Sequence, residues 1–259
     1  MKKLLTIHNA KFMVITGLGL YFAYIYVSGT WAYYIDPRFQ WLSVVAVLIF
    51  GFLAVSYFGS AEHEHDHHDH DHDHEHSHDH GHDHEHNHNS VWPVLVVAIP
   101  LAIGVLMPAK PLGANAIDAR GIDTDFSSVS LSNSSSKSLT IVPSERNVLD
   151  WARAFATSTN PAEFNDQEAS VIGFVYRDGR FDDGHFMVAR FTITCCVADA
   201  LAIGVVVKSP EDAAVLATDS WVKVQGHFQE TEFDGNLIPI LYAEKVTPVE
   251  QPDQPYLYQ

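Results

Sequence analysis

Cysteine is nearly missing from this chain of 259 residues: Cys195 and Cys196 are the only two, and they are neighbours. No disulfide framework can be built from such a pair, and the redox compartment cannot be read from it. Basic residues are scarce as well, 15 Lys plus Arg against 32 Asp plus Glu, for a formal charge of −17. Ten of the acids fall between Glu62 and His88, but the rest of the chain is still acidic, so nucleic acid is excluded as a partner. Between Arg38 and Lys110 there is no Lys or Arg at all. There is also no Cys-x-x-Cys motif, no Gly-rich phosphate loop and no paired nucleophile and base, so an enzyme is not expected.

What is present is segregated. Three blocks carry no charge, Phe12 to Ser28, Trp41 to Phe58 and Val91 to Met107, each at the short end of what crosses a bilayer. The first follows Lys2, Lys3 and Lys11 but lacks a small-x-small cleavage pattern, which argues against a removed signal. The third holds Pro93 and Pro100, tolerable in a packed membrane helix, with a re-entrant segment as the alternative. The expected fold is a multi-pass cell-membrane protein with three N-terminal transmembrane helices and a mostly-β C-terminal domain. The lysine bias puts the N-terminus in the cytoplasm, and three crossings then put the loop after the second helix inside and the C-terminal domain outside.

That loop is the strongest chemical signal. His63, His65, His67, His68, His70, His72, His74, His76, His78, His80, His82, His84, His86 and His88 are interleaved with ten Asp or Glu. From His68 onward every second residue is histidine, so in an extended chain the imidazoles line one edge and the carboxylates the other. Neutral imidazole suits zinc, nickel, cobalt and copper, and the overlapping ligand sets predict several exchangeable sites in place of one closed one. A solvating repeat and a pH sensor are the alternatives.

The domain plan is two transmembrane helices in 1–61, the metal-binding loop in 62–90, a third helix in 91–109, a Ser-rich linker in 110–140 and a soluble domain in 141–259. Ser127 to Ser138 is two-thirds serine. Ser144 is placed as the cap of a helix running to about Thr157. Strands are expected at Ala169–Arg177, His185–Ile193, Ala202–Lys208, Trp221–Phe228 and Leu237–Val246, with a short helical piece at Pro210–Ala217 and positive-φ turns at Asp178–Gly179 and Asp234–Asn236. That order is OB-fold-like, a five-stranded barrel with a preceding helix, with a five-stranded sandwich as the alternative. Its aromatics Phe174, Tyr176 and Phe186 are expected in the core and not as base-stacking platforms.

Within this domain Cys195 and Cys196 can face one ligand only if the strand ends there. Three readings stay open: a thiolate metal site completed by Asp199 and His185, a redox-active vicinal pair, or small buried side chains.

The stretch Tyr-Ile-Asp-Pro-Arg-Phe from Tyr34, the Arg-x-x-x-x-Cys-Cys-x-Ala-Asp-Ala run from Arg190 to Ala200, and Trp-Val-Lys-Val-Gln-Gly from Trp221 resemble the YcgQ-like bacterial membrane proteins. The resemblance covers nearly the whole chain apart from the histidine tract. It implies one subunit of a two-component permease whose partner is a multi-spanning YcgR-like permease. The tract and a third span depart from the family's two-span pattern. Joined to the tract, the resemblance gives an expected accessory subunit of a transition-metal permease, zinc foremost, that gathers metal beside the bilayer. A membrane-bound metal sensor and a thiol-redox protein are the alternatives.

Overall fold

The computed structural model describes residues 2–59, 92–122, 142–177, 179–182, 184–209 and 215–258. The histidine tract, most of the serine-rich stretch and residues 210–214, where a helical piece was expected, lie outside the described residues. The chain divides into two compact units.

The first unit, Met1–Trp31 with Gln40–Ala109, contains helices α1 (Lys2–Ser28), α2 (Trp41–Gly59) and α3 (Trp92–Leu106). Two stretches, Asn9–Ser28 and Pro37–Tyr57, are long and apolar enough to span a bilayer. Their large apolar side chains point outward: Leu20, Val27, Phe52 and Val55 are all exposed. A helix that shows such residues to its surroundings finds its favourable solvent in lipid, and these two anchor the protein to a membrane. The third expected span forms as a helix of 15 residues, about 22 Å long against a hydrocarbon core of about 30 Å. It packs along α1 with Leu101 against Gly17 and Tyr21 against Gly104. Tyr21 donates its hydroxyl to the Gly104 carbonyl at 3.3 Å. The residue four positions after Gly104 is Pro108, which has no N–H to offer, so that carbonyl is open to the tyrosine. Positions rise together on both helices, so α1 and α3 run parallel.

The second unit, Ala32–Phe39 with Lys110–Gln259, is a barrel. Its strands are β1 (Glu168–Tyr176), β2 (His185–Ile193), β3 (Leu201–Lys208), β4 (Trp221–Phe233), β5 (Asn236–Pro248) and β6 (Tyr256–Tyr258). Pairing runs β1-β4-β5-β3-β2 and returns to β1, with only β3 and β5 parallel in the circuit, which closes five strands. This is the five-stranded barrel expected from the order of the elements. The short β6, which had no sequence signal, adds in parallel beside β2. Asp234 and Gly235 turn β4 into β5 with positive φ, as anticipated for that turn.

Strand β2 is buried along nearly its whole length, because both faces of that part of the sheet are covered. One core draws on all five strands and is closed by the helix α5 (Val148–Thr157), where the Trp151 ring sits tilted, 4.6 Å from that of Phe228. The other contains Phe174, Tyr176 and Phe191, and the helix α4 (Ala114–Arg120) covers it with Ala114 and Ile117. Phe174, Tyr176 and Phe186 are all buried, as core aromatics should be.

Two boundaries differ from the sequence reading. Residues 110–122, read as the start of the linker, belong to the barrel unit, held by the Ala114 N–H donating to Asp219 at 2.6 Å and by Tyr176 donating to Asp118 at 3.1 Å. Asn147, not Ser144, caps α5. Its side chain accepts from the N–H groups of Leu149 and Asp150, and Asp150 accepts from the Asn147 N–H, a reciprocal box that Ser144 cannot make.

Candidate functional site

Strand β2 ends at Ile193, and the next residues turn tightly through a 3-10 segment at Val197–Asp199. Asp199 organises the turn. One of its carboxylate oxygens accepts from the Thr194 N–H at 3.2 Å and the other from the Cys195 N–H at 2.8 Å. The Cys195 thiol donates to that second oxygen at 3.1 Å, with the Cys196 sulfur 3.7 Å away. The strand end therefore does bring both sulfurs together. The hydrogen bond to Asp199, then that to Cys196, pushes the Cys195 thiol up to about 11. Burial works to raise Asp199, but the bonds from the thiol and the backbone outweigh it and hold the carboxyl below its usual range.

A second motif docks on this turn. Ile35 pairs with Cys196 in an antiparallel bridge; the Asp36 N–H donates to the Cys195 carbonyl at 3.1 Å and the Val197 N–H to the Tyr34 carbonyl at 2.8 Å. The Asp36 carboxylate, 1% exposed, accepts from the backbone N–H of Arg38 and from its guanidinium in a two-pronged pair. Arg38 also donates to the Thr194 carbonyl at 3.1 Å. The Tyr34–Phe39 segment is thus a clip whose charges fix it to the cysteine turn.

Sequence comparison agrees with the motif reading over the same residues. The DUF1980 N-terminal domain matches residues 10–123 and the DUF1980 C-terminal domain residues 122–259. The chain belongs to the DUF1980 family. It is 24% identical over 287 residues to UPF0703 protein YcgQ of Bacillus subtilis, covering 96% of this chain and 99% of that protein. It is 23% identical over 200 residues to a Streptococcus mutans protein named "Putative two-component membrane permease complex subunit", covering 64% of this chain and 72% of that one. The YcgQ-like membership read from three motifs is shown.

The remaining motif residues of this DUF1980 protein serve the strands of the barrel. Arg190, at the head of the cysteine run, donates to the carbonyls of Pro255 at 3.1 Å and Gln254 at 2.7 Å and lies 5.3 Å over the Trp221 ring. It thereby ties β6 to β2. Gly226 ends the third motif at an irregularity in the β4–β5 ladder, where any Cβ would meet the Tyr242 carbonyl.

His185 does not join the cysteines; it sits at the opposite end of β2 and pairs with Asp182. Among the described residues no group of three His, Cys, Asp or Glu side chains is placed to hold a metal. Asp199 gives both oxygens to the backbone of its own turn and accepts the Cys195 thiol as well. The histidine tract lies outside the described residues. Sequence reasoning missed the partnership of Asp36 and Arg38 with the turn, although both stood in a motif it had singled out.

Proposed function

We propose that this chain is the accessory subunit of a membrane permease, with its barrel outside the cell and its histidine tract in the cytoplasm. The observation that carries the reading is the pairing of Ile35 with Cys196. If α1 and α2 both cross the bilayer, the segment between them emerges on the face opposite the N-terminus. The barrel shares backbone hydrogen bonds with that segment, so it occupies the same face. The chain leaving α2 stands on the other face and must return before Lys110, which makes α3 a third crossing despite its length. Parallel packing of α3 on α1 supports this, and Lys2, Lys3 and Lys11 favour a cytoplasmic N-terminus.

Three helices without repeated halves do not supply a translocation path, so the path belongs to a second, multi-spanning chain of the YcgR-like kind. The name of the Streptococcus mutans relative, a permease complex subunit, supports this division of labour. The tract would gather zinc, or nickel, cobalt or copper, at the cytoplasmic mouth, because its imidazoles are numerous and its carboxylates concentrate cations. No catalytic role is proposed.

The test is affinity purification of the full-length chain from its own membranes, together with the metal content of cells lacking it. A co-purifying multi-spanning protein and an altered content of one transition metal, restored by the full chain but not by a tract deletion, are expected. Recovery of the chain alone, with every metal unchanged, would refute the reading.

A further inference from the structure

The barrel unit contains a cavity of about 500 Å³ that the cysteine turn does not use. Arg153 of α5 and Arg190 of β2 line it, with Tyr258, Tyr256 and Leu149 in its wall. Arg153 is only 7% exposed and Arg190 8%. The Nε and Nη2 of Arg153 and the hydroxyl of Tyr258 are buried and have no hydrogen-bond partner among the described residues. Buried guanidinium N–H groups without acceptors are strongly disfavoured, and native proteins leave few such groups unsatisfied. One acid, Asp150, also lines the cavity, but an oxygen of its carboxylate is taken by the Asn147 N–H in the helix cap. Two guanidinium groups against one carboxylate leave the cavity positive.

We propose that this cavity binds a small organic anion, its carboxylate or phosphate group held by Arg153 and the Tyr258 hydroxyl beside Arg190. The chemistry matches the donors: a planar guanidinium fork pairs with two oxygens of one oxyanion, and a phenol adds a third donor. The size indicates more than a bare ion, since the volume falls in the range of about 300 to 1,000 Å³ typical of small-molecule sites, and Leu149 and Tyr256 offer apolar wall to a carbon skeleton. Arg190 fits the same picture: burial pulls it down to about 10, with Tyr258 opposing, so it stays charged at neutral pH while lacking a carboxylate of its own among the described contacts. The site is independent of the permease reading.

The test is calorimetric titration of metal-free, full-length protein in detergent with succinate and with inorganic phosphate, which also separates the two ligand chemistries. Saturable binding of at least one probe is expected. Arg153→Met should weaken it at least tenfold without lowering the melting temperature in ligand-free buffer, because the variant removes an unpaired buried charge. Tyr258→Phe should weaken it severalfold. Absence of saturable binding in the parent overturns the assignment. So does parent-like affinity in Arg153→Met or, should that variant fail to fold, in Tyr258→Phe.

Discussion

The backbone of Asp36, between the first two helices, donates to the carbonyl of Cys195, in the turn just past the end of β2, at 3.1 Å. This bond and its neighbours make the barrel discontinuous in sequence. A fragment beginning at Lys110 would leave the Cys195 and Thr194 carbonyls without Asp36 and Arg38, so biochemical work on the barrel needs the whole chain.

Arg38 is the clip's exposed half and Asp36 its buried half. Replacing Arg38 with Met strands a buried carboxylate and should destabilise the barrel by about 1 to 3 kcal/mol. Asp36→Asn, which keeps an acceptor for the Arg38 N–H and removes the charge, should cost less. Thermal melting of the full-length variants gives the order; equal melting temperatures would mean that the clip contributes nothing.

Cys195 is held protonated by Asp199, its pKa raised from 9.0 to about 11. A raised folded-state pKa means that the thiol form is favoured by folding below the unfolded value, and that this contribution is lost as pH climbs from about 9 through about 11. In a Cys196→Ser background, Asp199→Asn should therefore speed alkylation of Cys195 at pH 8 by at least about tenfold, since the thiolate is the reacting species. An unchanged rate would show that the carboxylate does not govern the thiol.

Much of the barrel was legible because its signals are local. His185–Ile193 was delimited from sequence to the residue, an apolar run closed by a turn at either end, and Asp234–Gly235 announced its hairpin. The Asn147-x-x-Asp150 box is equally visible in the sequence, and it competes there with Ser144 three residues earlier. The docking of Tyr34–Phe39 on the cysteine turn was not legible, because it is a long-range pairing of two short segments with no periodicity of their own. Tyr256–Tyr258 is too short to read as a strand. Arg190 is a lone arginine in the apolar run of β2, whereas Arg153 shares its short helix with Asp150.

Gly226 shows what the third motif is for. Gly226→Ala forces a methyl group against the Tyr242 carbonyl in the β4–β5 ladder, and overpacking of this kind costs about 1 to 3 kcal/mol or more. A fall in melting temperature, with the helical signal of the membrane segments retained, is the expected result. A variant as stable as the parent would show that the ladder gives way freely.

The tract makes a separate prediction. The full-length chain should bind several zinc ions and release most of them as pH falls below about 6.5, where imidazoles take up protons. Deleting Glu62 to His88 should abolish that binding and leave the melting of the barrel unchanged. Equal zinc stoichiometry in parent and deletion would remove the tract from the account.

The central claim is that the clip fixes the barrel and the histidine tract on opposite faces of the membrane. It is tested most directly by labelling intact cells with a membrane-impermeant thiol reagent, using single cysteines at Thr30, Ser77 and Glu250 in a chain whose native cysteines are replaced by serine. Labelling at Thr30 and Glu250 from outside, and at Ser77 only after the membrane is opened, is the predicted pattern. Labelling of Ser77 on the same side as Glu250, or of Thr30 and Glu250 on opposite sides, would contradict it.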